Sequence, residues 1–203
     1  MPMPFRVIIG LCVAVEAALT LAGLLGFPAL RQVAFLYGGF FAQLLDSWHG
    51  LFPGQPITMF VTYGFLHAGL LHLGMNMLAL AQLAQELARV MSGRAMLLVY
   101  GVSQIAAALA QAWLAPGGAV MVGASGAVFG LAGALIAYGF VALRRRNQPM
   151  GPLIRSAAVL VALNVALALM VPQIAWQAHL GGAVAGALMG LAYAARGPRR
   201  RRR

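Results

Sequence analysis

Charge is scarce in this chain, and negative charge scarcer still. Only 8% of its 203 residues are charged, and Glu16, Asp46 and Glu86 are the three acids. Lysine is absent, so all fourteen basic residues are arginine. A single cysteine, Cys12, excludes an intrachain disulfide and says nothing of the redox compartment; its expected role is that of a small apolar residue. Histidines without paired acids or thiols make a poor metal site, and neither metal nor cofactor is expected. Hydrocarbon takes the place of charge: 62% of residues are hydrophobic and the mean hydropathy is +0.87. A soluble domain of this size would precipitate with that composition. The chain therefore reads as an all-α polytopic membrane protein.

Apolar runs of about 20 residues, enough to cross a bilayer, fall at about residues 7–26, 67–88, 95–115, 121–143, 153–171 and 175–195. They give six spans in one domain, 1–196, followed by a basic tail at 197–203. Arg6 ahead of the first span resembles the start of a secretory signal, but the run is longer than a signal's apolar core and holds Glu16, so it is expected to be retained. Thirteen arginines fall in places that alternate along the chain: Arg6; Arg89 and Arg94; Arg144, Arg145, Arg146 and Arg155; then Arg196 and Arg199 to Arg203. The positive-inside rule puts those places, and both termini with them, in the cytoplasm. The first outer loop, 27–66, carries only Arg31 with Asp46 and His49. Its Trp48, Pro53, Gly54 and Pro56 beside several aromatics suit a structured element lying in the membrane interface. A net charge of +11 could suggest nucleic acid, but the terminal arginine run follows a span and lacks interleaved aromatics. Anionic lipid at the cytoplasmic face is the expected partner, not nucleic acid.

Polar residues interrupt three of the oily segments: His72 and Asn76 in the second span, Ser125 in the fourth, His179 in the sixth. A polar side chain in hydrocarbon is costly and calls for a reason. With the amino terminus inside, these three spans all run inward. Counting from His67, Val120 and Ile174, the residues His72, Ser125 and His179 each lie five positions in, at a common depth of about 7.5 Å. Taken singly, each has a blander reading: a serine bonded to its own backbone, a histidine or asparagine joining two helices. Together at one depth they form a catalytic constellation. A serine needs a base to become a nucleophile, and an imidazole is the usual one; none of the three acids falls near Ser125 or His179, so a dyad is expected. Acyl transfer also needs donors where charge develops on the carbonyl oxygen. His72 and Asn76, at i and i+4, share one helix face and both can donate, with the Ser125 amide as a third donor.

These segments resemble the rhomboid intramembrane serine proteases. Gly123-Ala124-Ser125-Gly126 resembles the family's GxSG motif, the run from His67 through His72 to Asn76 its HxxxxHxxxN segment, and His179 with Gly182 and Gly186 its sixth-span histidine and GxxxG. The resemblance covers the six-span core and implies Ser125 as nucleophile, His179 as general base and acid, and His72, Asn76 and the Ser125 amide as oxyanion hole. It further implies that Phe129 packs on the catalytic histidine, that Gly182 and Gly186 let the sixth helix approach the fourth, and that His67 steadies the first loop. The fifth span and the turn at 172–177, with Trp176, would act as gate and cap. Gly130 and Gly133 are read as packing glycines, and Ala84 and Ala88 stand where many members carry glycine and glutamate.

The expected activity is intramembrane endoproteolysis of single-span or polytopic membrane proteins near the outer face of the bilayer, in a bacterial inner membrane. Two rivals compete: a catalytically silent relative that binds membrane helices, and a small transporter. Silent relatives typically lack the serine or the histidine, and both are present here. A transporter would need a polar track through the inner half, where only Gln82, Gln85, Glu86 and Asn164 are found, and Asn164 is read as an interhelical hydrogen bond.

Overall fold

A computed structural model describes residues 1–170 and 175–196. The end of the expected fifth span and the start of the turn that follows it, 171–174, and the arginine tail at 197–203 lie outside the described residues. The chain is all-α, and among the described residues the only strand-like pairing is one antiparallel bridge between Phe40 and Met121. Helix α1 is Met3–Leu24, α2 Ala29–Gly38, α3 Leu44–Ser47 and α4 Gln55–Thr62, which runs into a 3₁₀ turn at Tyr63–Phe65. Then come α5 Leu70–Leu87, α6 Gly93–Leu114, α7 Ser125–Arg145, α8 Gly151–Met170 and α9 Trp176–Ala195.

Four helices, α1, α6, α7 and α9, are each long and apolar enough to cross a bilayer. The second expected span is a broken element: α5 qualifies only together with Gln55–Phe65, across a bend of 84°. The break has a backbone cause, since Leu66 is extended and Gly69 sits at φ +107°, which ends one helix and delays the next to Leu70. The fourth expected span likewise starts later than residue 121. Met121 is taken up by its bridge to Phe40 and Gly123 sits at φ +120°, so α7 begins at Ser125 itself. Helix α8 is apolar over Gly151–Ala166. Large apolar side chains project outward along α1, α5, α6, α8 and α9, as a lipid-facing surface requires. The protein is an integral membrane protein.

Helix α7 sits at the centre, packed on α9 above all and then on α6 and α5. Glycine makes this possible. A Cβ at Gly182 would overlap the Gly126 carbonyl, one at Gly186 the Gly130 carbonyl, and one at Gly190 the Ala134 carbonyl. Three positions spaced four residues apart on α9 thus match three positions spaced four apart on α7, a small-residue seam between parallel helices. The neighbouring Gly181 faces the other way, where a Cβ would lie 2.8 Å from the Ala106 carbonyl of α6. Gly130 also faces Ser103, and Gly133 faces the Ala183 carbonyl, so both are packing glycines. At the far end Arg145 donates to the Ala194 carbonyl at 2.8 Å, capping α9.

The first outer loop is a folded platform. Gln55 receives the Leu51 amide at 2.7 Å and donates to the Leu36 carbonyl at 2.6 Å. Tyr63 is buried, donates its hydroxyl to the Gln104 carbonyl at 2.7 Å and receives the Gly123 amide at 2.9 Å. The loop is therefore tied to α6 and to the segment that delivers Ser125. Cys12 is buried, with its thiol 3.7 Å from the Gly64 carbonyl.

Candidate active site

Ser125 is the first residue of α7, with Ala124 as its N-cap. The first backbone bond of this helix runs from the Val128 amide to the Ala124 carbonyl at 3.0 Å. The amides ahead of it, that of Ser125 included, have no intrahelical partner and form the positive end of the helix. An oxygen that develops negative charge beside Ser125 Oγ meets those donors. Gly123 is required twice over: its φ of +120° favours glycine, and a Cβ there would lie 2.9 Å from His72 Nε2.

His179 lies three residues into α9 and is 6% exposed. Its Nε2 is 2.8 Å from Ser125 Oγ, and its ring stacks on Phe129 at a centroid distance of 4.3 Å and an angle of 8°. Phe129 is one turn beyond Ser125 on the same helix face, so α7 carries both the serine and the surface that the imidazole rests on. The glycine seam sets the distance between the two helices, and hence the meeting of Ser125 with His179. On its other side His179 Nδ1 is 2.7 Å from Asn164 Oδ1 of α8. The interhelical hydrogen bond expected of Asn164 thus ends on the histidine.

His72 Nδ1 accepts the Ala68 amide at 3.2 Å. A ring nitrogen that accepts is unprotonated, so the neutral ring carries its proton on Nε2, the atom that faces Gly123. Asn76 is buried and donates one amide hydrogen to the His72 carbonyl at 2.9 Å, which leaves the other without a partner among the described residues. His72 and Asn76 thus share the face of α5 that looks toward α7. His67 is fully buried, edge-on to His72 at 5.2 Å, and its ring nitrogens have no partner among the described residues. Trp176, at the first position of α9, is 43% exposed.

The structure adds a group that the sequence pattern did not mark. Glu16, fully buried in α1, receives Arg31 Nη1 at 2.9 Å on Oε2 and Arg31 Nη2 at 2.8 Å on Oε1. Arg31 Nη1 also donates to the His67 carbonyl at 2.9 Å, and Nη2 to Thr20 Oγ1 at 3.3 Å. Hydrogen bonding to Glu16 holds the Arg31 pKa above its ordinary value, so the guanidinium stays charged. One guanidinium therefore ties α1, α2 and the turn that leads to His72. The available signal was an acid within a span and a lone arginine in the loop that follows it; an intramembrane ionisable residue implies a partner.

Comparison with known proteins places residues 53–196 in the rhomboid domain. The rhomboid protease GluP of Bacillus subtilis (strain 168) is 31% identical over 121 residues, which is 60% of this chain and 23% of GluP. YdcA of the same organism is 30% identical over 168 residues, 79% of this chain and 83% of YdcA.

Proposed function

Because the chain belongs to the rhomboid family, we propose that it is an intramembrane serine endopeptidase working through Ser125 and His179. The observation that carries the proposal is the 2.8 Å approach of His179 Nε2 to Ser125 Oγ on a ring stacked against Phe129. His179 takes the hydroxyl proton as Oγ attacks the scissile carbonyl, then gives it to the leaving amine. The carbonyl oxygen becomes an oxyanion, which receives the Ser125 amide, His72 Nε2–H and the second amide hydrogen of Asn76. Water then attacks the acyl-serine with His179 again as base, and as the ester bond breaks His179 returns the proton to Ser125 Oγ, releasing the new carboxyl terminus. His67 holds the first loop in place, and Gly123, Gly126, Gly182 and Gly186 keep the helices close enough for the dyad to form.

The substrates are transmembrane segments of other membrane proteins. A helix hides its carbonyls in hydrogen bonds, so segments with small or helix-breaking residues open most readily. Ser125 and His179 lie at the starts of α7 and α9, on the side opposite the arginine clusters. With those clusters cytoplasmic, cleavage takes place near the outer face, in a bacterial inner membrane with both termini inside. The same arginines bind anionic lipid. Purified protein in detergent should cleave a single-span substrate, and Ser125→Ala and His179→Ala should each abolish cleavage while leaving the fold intact. Wild type should react with a serine-directed phosphonate. Cleavage by Ser125→Ala, or its labelling by the phosphonate, would overturn the assignment, and a wild type that binds substrate without cutting would identify a silent relative.

A further inference from the structure

We propose that Asn164 is a positioning residue for His179, supplied by helix α8 in the place where the sequence offers no acid. The inference rests on His179 as the base.

An imidazole that is to accept the Ser125 proton must keep Nε2 bare, and a neutral ring does so by holding its proton on Nδ1. That proton needs an acceptor. Glu16 is taken up by Arg31 and Glu86 pairs with Arg89, while Asp46 belongs to the first loop. Asn164 Oδ1 lies 2.7 Å from Nδ1, and an amide oxygen can only accept. The bond therefore selects the tautomer that the reaction needs and fixes the ring plane against Phe129. This is the second partner that an orienting group gives to a catalytic histidine.

The helix that carries Asn164 makes the bond informative. From Ala157 to Met170, α8 has no other polar residue. None of its described side chains is buried, and among the described residues Asn164 makes its only side-chain hydrogen bond to another helix. Ser125 and His179 sit on α7 and α9, joined by the glycine seam. The orienting group comes instead from a helix of whose described side chains none is buried. Docking of α8 then sets the His179 tautomer, and its displacement leaves the ring free to turn.

The test compares Asn164→Leu, which removes the acceptor at similar volume, with Asn164→Asp, which keeps it. In Asn164→Leu, kcat and the rate of phosphonate labelling should fall on the order of 10- to 100-fold, as for loss of a residue that orients a reactive group, with KM nearly unchanged. Asn164→Asp should restore both rates to within a few-fold of wild type. Full kcat in Asn164→Leu, or a loss that Asn164→Asp does not restore, would overturn the inference. Nitrogen NMR of labelled histidine separates it from the functional proposal, because it reads the resting protein. His179 should be protonated at Nδ1 in wild type and lose that preference in Asn164→Leu. An Nε2-protonated ring in wild type overturns the role of Asn164 even if Ser125 proves to be the nucleophile. An Nδ1-protonated ring that depends on Asn164 upholds it even if no substrate is cut.

Discussion

Arg31→Leu should destabilise the protein more than removal of both members of its ion pair. Arg31 makes two charge-assisted bonds to Glu16, at 2.8 and 2.9 Å, and a third to the His67 carbonyl at 2.9 Å. The substitution leaves the Glu16 carboxylate, fully buried, without its countercharge. Breaking a buried pair from one side costs about 3–5 kcal/mol. The Arg31 side chain is 28% exposed, so water reaches the site in part and the lower end, about 3 kcal/mol, applies. Glu16→Leu should cost less, about 1–2 kcal/mol, because a partly exposed guanidinium can swing its head to water on its flexible stem. Glu16→Leu with Arg31→Leu leaves no buried charge and should fall within about 1 kcal/mol of Glu16→Leu alone. The three variants and wild type would be compared by equilibrium unfolding in mixed micelles, followed by circular dichroism, as a double-mutant cycle. If Arg31→Leu costs under about 1 kcal/mol, or if the double variant is the least stable of the four, the pair does not hold the loop as described.

Gly186→Leu should separate α9 from α7, since even a Cβ there overlaps the Gly130 carbonyl; loss of phosphonate labelling together with a lowered unfolding midpoint is expected, and full activity would contradict the seam. His72→Ala and Asn76→Ala should each lower kcat on the order of 10²-fold, the effect of one oxyanion donor, while binding of a substrate segment stays near the wild-type level in a pull-down. Gly123→Ala should be worse than Gly126→Ala for labelling relative to stability, because only Gly123 combines a positive φ with contact on the His72 ring; equal losses measured side by side would argue against that.

The dearth of charge and the length of the apolar runs were enough to read a membrane bundle, because a bilayer accepts few alternatives to helices. The helix starts were not legible. Hydropathy continues through Leu66 to Gly69 and through Met121 to Gly123, but Leu66 is extended, Gly69 and Gly123 have positive φ, and Met121 and Gly123 are bonded to the first loop, none of which leaves a trace in hydropathy. The seam was half visible: Gly182 and Gly186 stand out, but Gly190 opposite Ala134 becomes meaningful only when the two helices are laid side by side.

By itself, the sequence determined which side chains could do chemistry in hydrocarbon, since Ser125, His179, His72 and Asn76 are too costly there to be incidental. The tertiary structure decided which atoms face one another. It set His179 between Ser125 and Asn164, turned the bare nitrogen of His72 toward Ala68, and spent Glu16 on Arg31. The physical reason is that burial cost is local and can be read residue by residue, whereas a hydrogen bond needs a partner, and these partners come from helices far apart in the chain.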